Sequence, residues 1–283
     1  MPELPEVETI VTRLKSELVN EVIQKIEVRR EKSFGGDCKK LAGRKILNVR
    51  RRAKLIVIDL EKDHLLVHLK MTGQLILVDG KTRVGGGHPT ADWVKSLPSS
   101  HTRVIIWLKS GKVLYFNDQR VFGWVRLMSD EELALELEKY APDIIDPLIT
   151  SDYLFEKLQK RSSAIKLVVL DSKVVAGIGN IYACDGLFLA GIDPQKPARD
   201  LRINQIKKLL DSLRVVINRG IKLGGATIDT YRNVDGLSGG YQDVVLVYGK
   251  EGQPCPTCGA KIERFKQGGR STLWCPFCQS QKK

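Results

Sequence analysis

Val104-Ile105-Ile106-Trp107-Leu108-Lys109-Ser110-Gly111-Lys112-Val113-Leu114-Tyr115-Phe116 decides how the first half of this 283-residue chain folds. Two runs rich in β-branched and aromatic residues flank Ser110-Gly111-Lys112, a break with the chemistry of a hairpin turn. Upstream, Leu55-Ile56-Val57-Ile58 and Leu65-Leu66-Val67 are further apolar runs of strand length. The first half is therefore expected to be antiparallel β structure. One helix precedes it, over residues 7–18, where Val7, Ile10, Val11, Leu14 and Leu18 recur at the helical period. The pattern changes near residue 129. Ser129 and Glu132 fit a capping box, with Leu133, Leu137 and Tyr140 following on one face. Pro142 and Pro147 then break the chain. Residues 153–159, 163–170 and 203–221 are helical in pattern, the last with Ile206, Leu209, Leu210, Leu213, Val216 and Ile217 apolar. The middle third thus reads as helical, and a polar, glycine-flanked loop follows it before the cysteine-rich end.

Composition narrows the function classes. Lys plus Arg is 46 and Asp plus Glu is 33, a net charge of +13, which favours a polyanionic partner. Between residues 29 and 54 the bias is sharper, 11 basic residues against 2 acidic ones. Hydrophobic residues make up 42%, enough for packed cores, so wholesale disorder is excluded. No charge-free stretch exceeds the 11 residues of 174–184, well short of the roughly 20 that span a membrane. The opening MPELPEVETI has no apolar signal core, so a cytoplasmic protein is expected.

Of six cysteines, Cys38 and Cys184 stand alone and are read as structural, as is His64. Cys255, Cys258, Cys275 and Cys278 form two CxxC pairs separated by 16 residues. Four soft thiolates suit tetrahedral zinc and leave no open position for a substrate, so one structural zinc is expected. An iron–sulfur site or a redox pair is the alternative. Residues 261–265 can form one strand that Gln267-Gly268-Gly269-Arg270 turns back, placing Arg270 at a hairpin tip where phosphate is within reach. A unit this small has no core of its own, and the metal replaces one.

The N-terminus carries a second signal. Removal of Met1 ahead of the small Pro2 leaves a secondary α-amine, a fraction of which is unprotonated near neutral pH. Such an amine can attack an electrophilic carbon and form an iminium, an electron sink. Glu3 lies beside it as a possible proton donor, with Glu6 one turn further on. The plainer reading is a helix start, where proline and acids are favoured anyway.

The combination of motifs separates these readings. MPELPEVET resembles the N-terminal signature of the bacterial formamidopyrimidine-DNA glycosylase family. The resemblance continues through Arg51-Arg52-Ala53-Lys54, His68-Leu69-Lys70-Met71-Thr72-Gly73 and Asn117-Asp118-Gln119-Arg120-Val121-Phe122-Gly123. It runs on through residues 175–183, Val247-Tyr248-Gly249-Lys250 and Gly269-Arg270-Ser271-Thr272, and so is collinear over essentially the whole chain.

This resemblance implies an α+β fold: an N-terminal β-sandwich with an opening helix (1–128), a helical domain with a helix–two-turns–helix element (129–240) and a zinc-binding β-hairpin (241–283). It implies a monomeric base-excision repair enzyme acting on double-stranded DNA that contains oxidised bases, the duplex lying in a basic cleft between the first two domains. Pro2 would attack C1′ of the damaged nucleotide, with Glu3 as the acid. Lys54 would serve β-elimination, and Arg270 δ-elimination and phosphate contact. Met71, Arg120 and Phe122 match a trio that fills the hole left by an extruded base, a wedge-and-cation arrangement suited to a kinked duplex. His101, Arg161 and Asn180 match DNA-contact positions. Val121, Asp229 and Leu273-Trp274 depart from the family pattern, which bears on lesion preference and affinity more than on chemistry. Two alternatives remain at this point: an endonuclease VIII type acting on oxidised pyrimidines, disfavoured by Leu4, and a zinc DNA-binding protein without catalysis.

Overall fold

The structure, a computed structural model, describes residues 1–87, 97–226 and 239–280. The opening helix α1 (Leu4–Leu18) starts three residues before the apolar period does. Its first turn holds Pro5, which has no N–H to lose there, and Glu3 is the N-cap. The apolar stripe of α1 is buried in one core with residues of the strands that follow it.

Among the described residues, ten strands follow in chain order. These are β1 (Ile23–Val28), β2 (Phe34–Gly35), β3 (Ile46–Arg52), β4 (Leu55–Leu60) and β5 (His64–His68), then β6 (Gly73–Asp79), β7 (Thr82–Gly87), β8 (Thr102–Leu108), β9 (Val113–Asp118) and β10 (Trp124–Met128). They form two five-stranded sheets, ordered β1-β8-β9-β6-β7 and β2-β10-β5-β4-β3, antiparallel except for the β10–β2 pair. Leu75, Val104, Ile106, Leu114 and Phe116 of the first sheet share one core with Ile56, Ile58, Leu65, Val67 and Val125 of the second. The architecture is thus a sandwich whose filling is supplied largely by alternate residues of β4, β5, β6, β8 and β9. The Ser110-Gly111-Lys112 break is the β8–β9 hairpin: Leu108 N–H donates to the Lys112 carbonyl at 2.9 Å, and Ile105 faces Tyr115.

The chain divides into two compact units, Met1–Glu138 with Ile221–Gln242, and Lys139–Gly220 with Asp243–Lys283. In the first, α2 (Asp130–Leu137) carries the Ser129–Glu132 capping box read from sequence. His64 bridges Asp59 and Asp130 at 2.7 and 2.8 Å, a structural role.

The second unit holds α3 (Ser151–Gln159), α4 (Ile165–Val169), α5 (Asn180–Ala190) and most of α6 (Ile203–Lys222). Helix α4 is shorter than its pattern implies, because Ala164 is extended and caps it. Arg214 on α6 gathers the carbonyls of Ile144, Asp146 and Ile149 at 2.7–3.1 Å, which satisfies the acceptors of the Pro-interrupted segment. The C-terminal hairpin is β11 (Glu263–Gln267) and β12 (Arg270–Trp274), followed by the short α7 (Pro276–Gln279). Its first strand lies two residues later than expected, since Lys261 only bridges Pro254. The tip is the two-residue turn Gly268-Gly269, both with positive φ, as a tight hairpin in this hand requires.

Candidate active site and zinc centre

The acidic N-terminus is built into the fold. Pro2, Glu3 and Glu6 are all buried, Glu3 being 4% and Glu6 2% exposed. Glu6 uses both carboxylate oxygens: one accepts the Glu3 N–H at 2.7 Å, the other the Ala226 N–H at 2.8 Å. Gly225 has φ +85°, and a Cβ there would lie 2.8 Å from Glu6, so the glycine allows this close approach. Glu6 therefore joins the start of α1 to the stem of the glycine-flanked loop. Ala226 pairs with Gly240, and the Tyr241 N–H donates to the Gly225 carbonyl at 3.0 Å, closing that stem. Asp229 lies outside the described residues.

Lys54 converges on the same place. It follows Ala53, a buried residue with φ +54°, in the tight turn between β3 and β4. Arg51 supports that turn by donating to the Ala53 carbonyl at 3.0 Å, and it pairs with Glu8 of α1 at 2.6 Å. Burial holds the α-amino group of Met1 below its ordinary value; the Glu3 and Glu6 carboxylates oppose this, and the Lys54 charge reinforces it. The α-amine of Met1 is thereby biased towards its neutral form.

His68 is a site neighbour that sequence reasoning did not single out. It is buried, and its Nδ1 accepts the Lys70 N–H at 3.1 Å, which leaves any ring proton on Nε2. Burial, then Lys70 and Lys54, push it down to about 3, so the ring is neutral at physiological pH. The only sequence signal was its place at the head of the Met71 motif.

Met71 and Phe122 are 41% and 50% exposed, although their residue types alone suggest core. Met71 sits between β5 and β6, Phe122 between β9 and β10, and the register Gly73–Asp118 makes these neighbouring loops. The Arg120 guanidinium lies over the Phe122 ring, 4.6 Å from its centroid. His101, partly exposed, accepts the Asp118 N–H on its carbonyl at 2.9 Å.

The remaining residues belong to the second unit. Asn180 opens α5, and its Nδ2 donates to the Ser271 carbonyl at 2.9 Å. The same carbonyl accepts from the fully buried Lys166, whose Nζ also donates to Thr272 Oγ1 at 2.8 Å. Strand β12 is thus tied to α4 and α5 at Ser271, the residue next to Arg270. Arg270 is exposed at the hairpin tip, and the tip rests on Leu167, whose side chain lies 2.6 Å from where a Gly268 Cβ would be. Arg161 follows α3 and is 3.6 Å from Asp171.

The four C-terminal thiols all lie within 4.8 Å of one another. Two pairs, Cys258–Cys275 and Cys255–Cys278, are 3.5 and 3.8 Å apart. Tetrahedral zinc at ~2.3 Å from each sulfur needs edges of about 3.8 Å, so this donor set fits the ion. The N–H groups of Thr257 and Cys278 point at Cys255 and Cys275 sulfurs at 3.4 Å, as thiolate acceptors require. Cys184 is buried in the core beside this centre and does not belong to it.

A β-sandwich with an acid-flanked N-terminal proline, a helical region and a four-cysteine zinc hairpin together define a basic, zinc-binding class of protein suited to a polyanionic partner. Three family models match: the formamidopyrimidine-DNA glycosylase N-terminal domain over residues 1–125, its H2TH domain over 140–232, and a zinc finger found in FPG and IleRS over 252–281. A formamidopyrimidine-DNA glycosylase of Rickettsia massiliae is 37% identical over 99% of this chain and 97% of its own length. One from Haemophilus influenzae is 35% identical over 99% and 100%. The crystal structure of the Thermus thermophilus MutM (Fpg) protein superposes with a TM-score of 0.85 at 35% identity, covering 98% of each chain. A Lactococcus lactis Fpg in complex with DNA containing an abasic site gives 0.86 at 30% identity, covering 99% and 100%. The chain belongs to the formamidopyrimidine-DNA glycosylase family.

Proposed function

We propose that this chain is a bifunctional DNA glycosylase and abasic-site lyase that removes oxidised purines, 8-oxoguanine and formamidopyrimidines, from duplex DNA in base excision repair. The observation that carries the reading is the buried N-terminal cluster, in which the Glu3, Glu6 and Lys54 charges all act on the α-amine of Met1, one residue ahead of the buried Pro2. In the form lacking Met1, the Pro2 nitrogen bonds to C1′ while the C1′–base bond breaks and the base leaves with a proton. Glu3 supplies the proton that opens the sugar ring, giving an iminium between Pro2 and C1′. Lys54 assists removal of the C2′ proton in β-elimination. Arg270 contacts phosphate and assists δ-elimination. Zinc, held by Cys255, Cys258, Cys275 and Cys278, supplies structure only, fixing the hairpin that presents Arg270.

Met71, Arg120 and Phe122 take the place of the flipped nucleotide, Arg120 pairing with the orphaned base. Exposed apolar side chains backed by a guanidinium are suited to that task. His101, Arg161 and Asn180 hold the DNA strand. The Lactococcus lactis relative, solved with abasic-site DNA, supports the same reading, and no helix among the described residues is long and apolar enough to cross a membrane. The reading places the protein, as a monomer, in the cytoplasm with the chromosome. Side-by-side cleavage of duplexes with 8-oxoguanine opposite cytosine and with thymine glycol tests it. Preference for 8-oxoguanine is expected; preference for thymine glycol would assign the chain to oxidised pyrimidines instead.

A further inference from the structure

Asp118, the last residue of β9, is completely buried. Its carboxylate accepts four donors, none of them a cation. Oδ1 takes the Thr72 hydroxyl and the Arg120 N–H, the latter at 3.2 Å. Oδ2 takes the N–H groups of Phe122 and Gly123 at 2.7 and 2.6 Å. The Arg120 N–H is shared with Thr72 Oγ1 at 3.0 Å, so Thr72 joins both loops. The backbone of Asp118 adds the N–H bond to His101 and accepts from Arg103 Nε at 2.8 Å. A buried carboxylate persists only where its donors are fixed, and charge-assisted bonds are the strong ones. The donors here belong to the turns that carry Met71, Arg120 and Phe122.

Both turns also hold a residue in the left-handed region, Lys70 at φ +51° and Val121 at φ +56°. For a β-branched residue this conformation is an outlier, kept only where the surroundings over-determine it. Val121 lies between two N–H groups that Asp118 holds.

We infer that Asp118 is a positioning residue: with Thr72 it clamps the Met71 and Arg120–Phe122 loops into one pre-formed wedge before DNA arrives. This rests on the proposed reading that the three side chains enter the duplex. Pre-formation removes the ordering cost of insertion and fixes where Arg120 meets the orphaned base. It also explains how Val121 is tolerated in the turn.

The test compares Asp118→Asn, Thr72→Val and Thr72→Ser by amide hydrogen exchange and by cleavage of 8-oxoguanine opposite cytosine and opposite adenine. An asparagine amide turns one acceptor oxygen into a donor, and valine removes the hydroxyl that links the loops. Both variants are expected to lose protection at Arg120, Phe122 and Gly123 while β8 and β9 stay protected. Both should shrink the cytosine-over-adenine preference by about tenfold, within the roughly hundredfold that a 1 Å misplacement can cost. Thr72→Ser should retain protection and preference. Unchanged protection in Asp118→Asn overturns the clamp whatever the DNA result. Lost protection with an unchanged preference overturns its role in insertion. Arg120→Ala in the otherwise native chain checks the underlying reading separately: if it leaves the preference intact, the assignment of the trio fails and the inference with it.

Discussion

At the scale of single residues, the acid role proposed for Glu3 predicts a separation of two chemical steps. Glu3→Gln keeps the Pro2 amine and removes the acid. Base excision from an 8-oxoguanine duplex is expected to fall by about 10²–10⁴-fold, the contribution of a positioned acid. Strand cleavage at a pre-formed abasic site should persist, since that sugar already opens to an aldehyde unaided and needs no acid for ring opening; equal loss on both substrates would remove Glu3 from the acid role. His68 gives a pH signature. Its value in the folded chain is about 3, against an ordinary 6.5. Above 6.5 both folded and unfolded forms are neutral and the group has no effect. As pH falls through the window from 6.5 to about 3 the unfolded chain binds the proton first, so stability is lost by about 1.4 kcal/mol per unit. Urea unfolding at about pH 7 and about pH 4.5 should show a smaller acid loss for His68→Asn than for the native chain; parallel losses would mean that His68 is solvated. Pro2, Glu3 and Lys54, the proposed catalytic set, stand out in the sequence because they sit in distinctive short motifs. His68 and Asp118 do not, because their work is defined by burial and by partners distant in sequence, such as Thr72.

At the scale of elements, the hairpin β11–β12 is the clearest case of a local signal. Two CxxC pairs and Gly268-Gly269 predicted its turn and its metal, and only the first strand moved, by two residues. Helix α5 was less legible. Residues 182–188 are buried in succession, so it has no polar face and no amphipathic period to detect. The β7 strand, Thr82–Gly87, was hidden similarly, because three of its six residues are glycine and carry no alternation. The zinc centre gives the prediction for this scale. Cys275→Ser should abolish stoichiometric zinc, melt the hairpin and weaken DNA binding, while circular dichroism of the sandwich and helices persists. Because Lys166 and Asn180 donate to Ser271 on β12, melting the hairpin should also open the buried Lys166 amine to solvent and to acylating reagents. Native DNA affinity in a zinc-free variant would take the metal out of the account.

At the scale of the whole molecule, the basic balance of +13 and the concentration of charge between residues 29 and 54 imply that phosphate neutralisation dominates affinity. The logarithm of the binding constant should fall linearly with the logarithm of salt, with a slope of roughly −0.9 per phosphate contact. Lys54→Ala should lower that slope by about 1 and slow lesion processing together. An unchanged slope would place Lys54 away from phosphate and leave it a purely chemical role.

An N-terminal secondary amine is the proposed nucleophile. Borohydride added during reaction with an 8-oxoguanine duplex, followed by peptide mapping of the reduced protein–DNA adduct, tests it most directly. The adduct is expected on Pro2, with Met1 absent from the trapped chain, and a form that retains Met1 should give none because its Pro2 nitrogen is an amide. An adduct on Lys54, or turnover without any trapped species, would contradict the account.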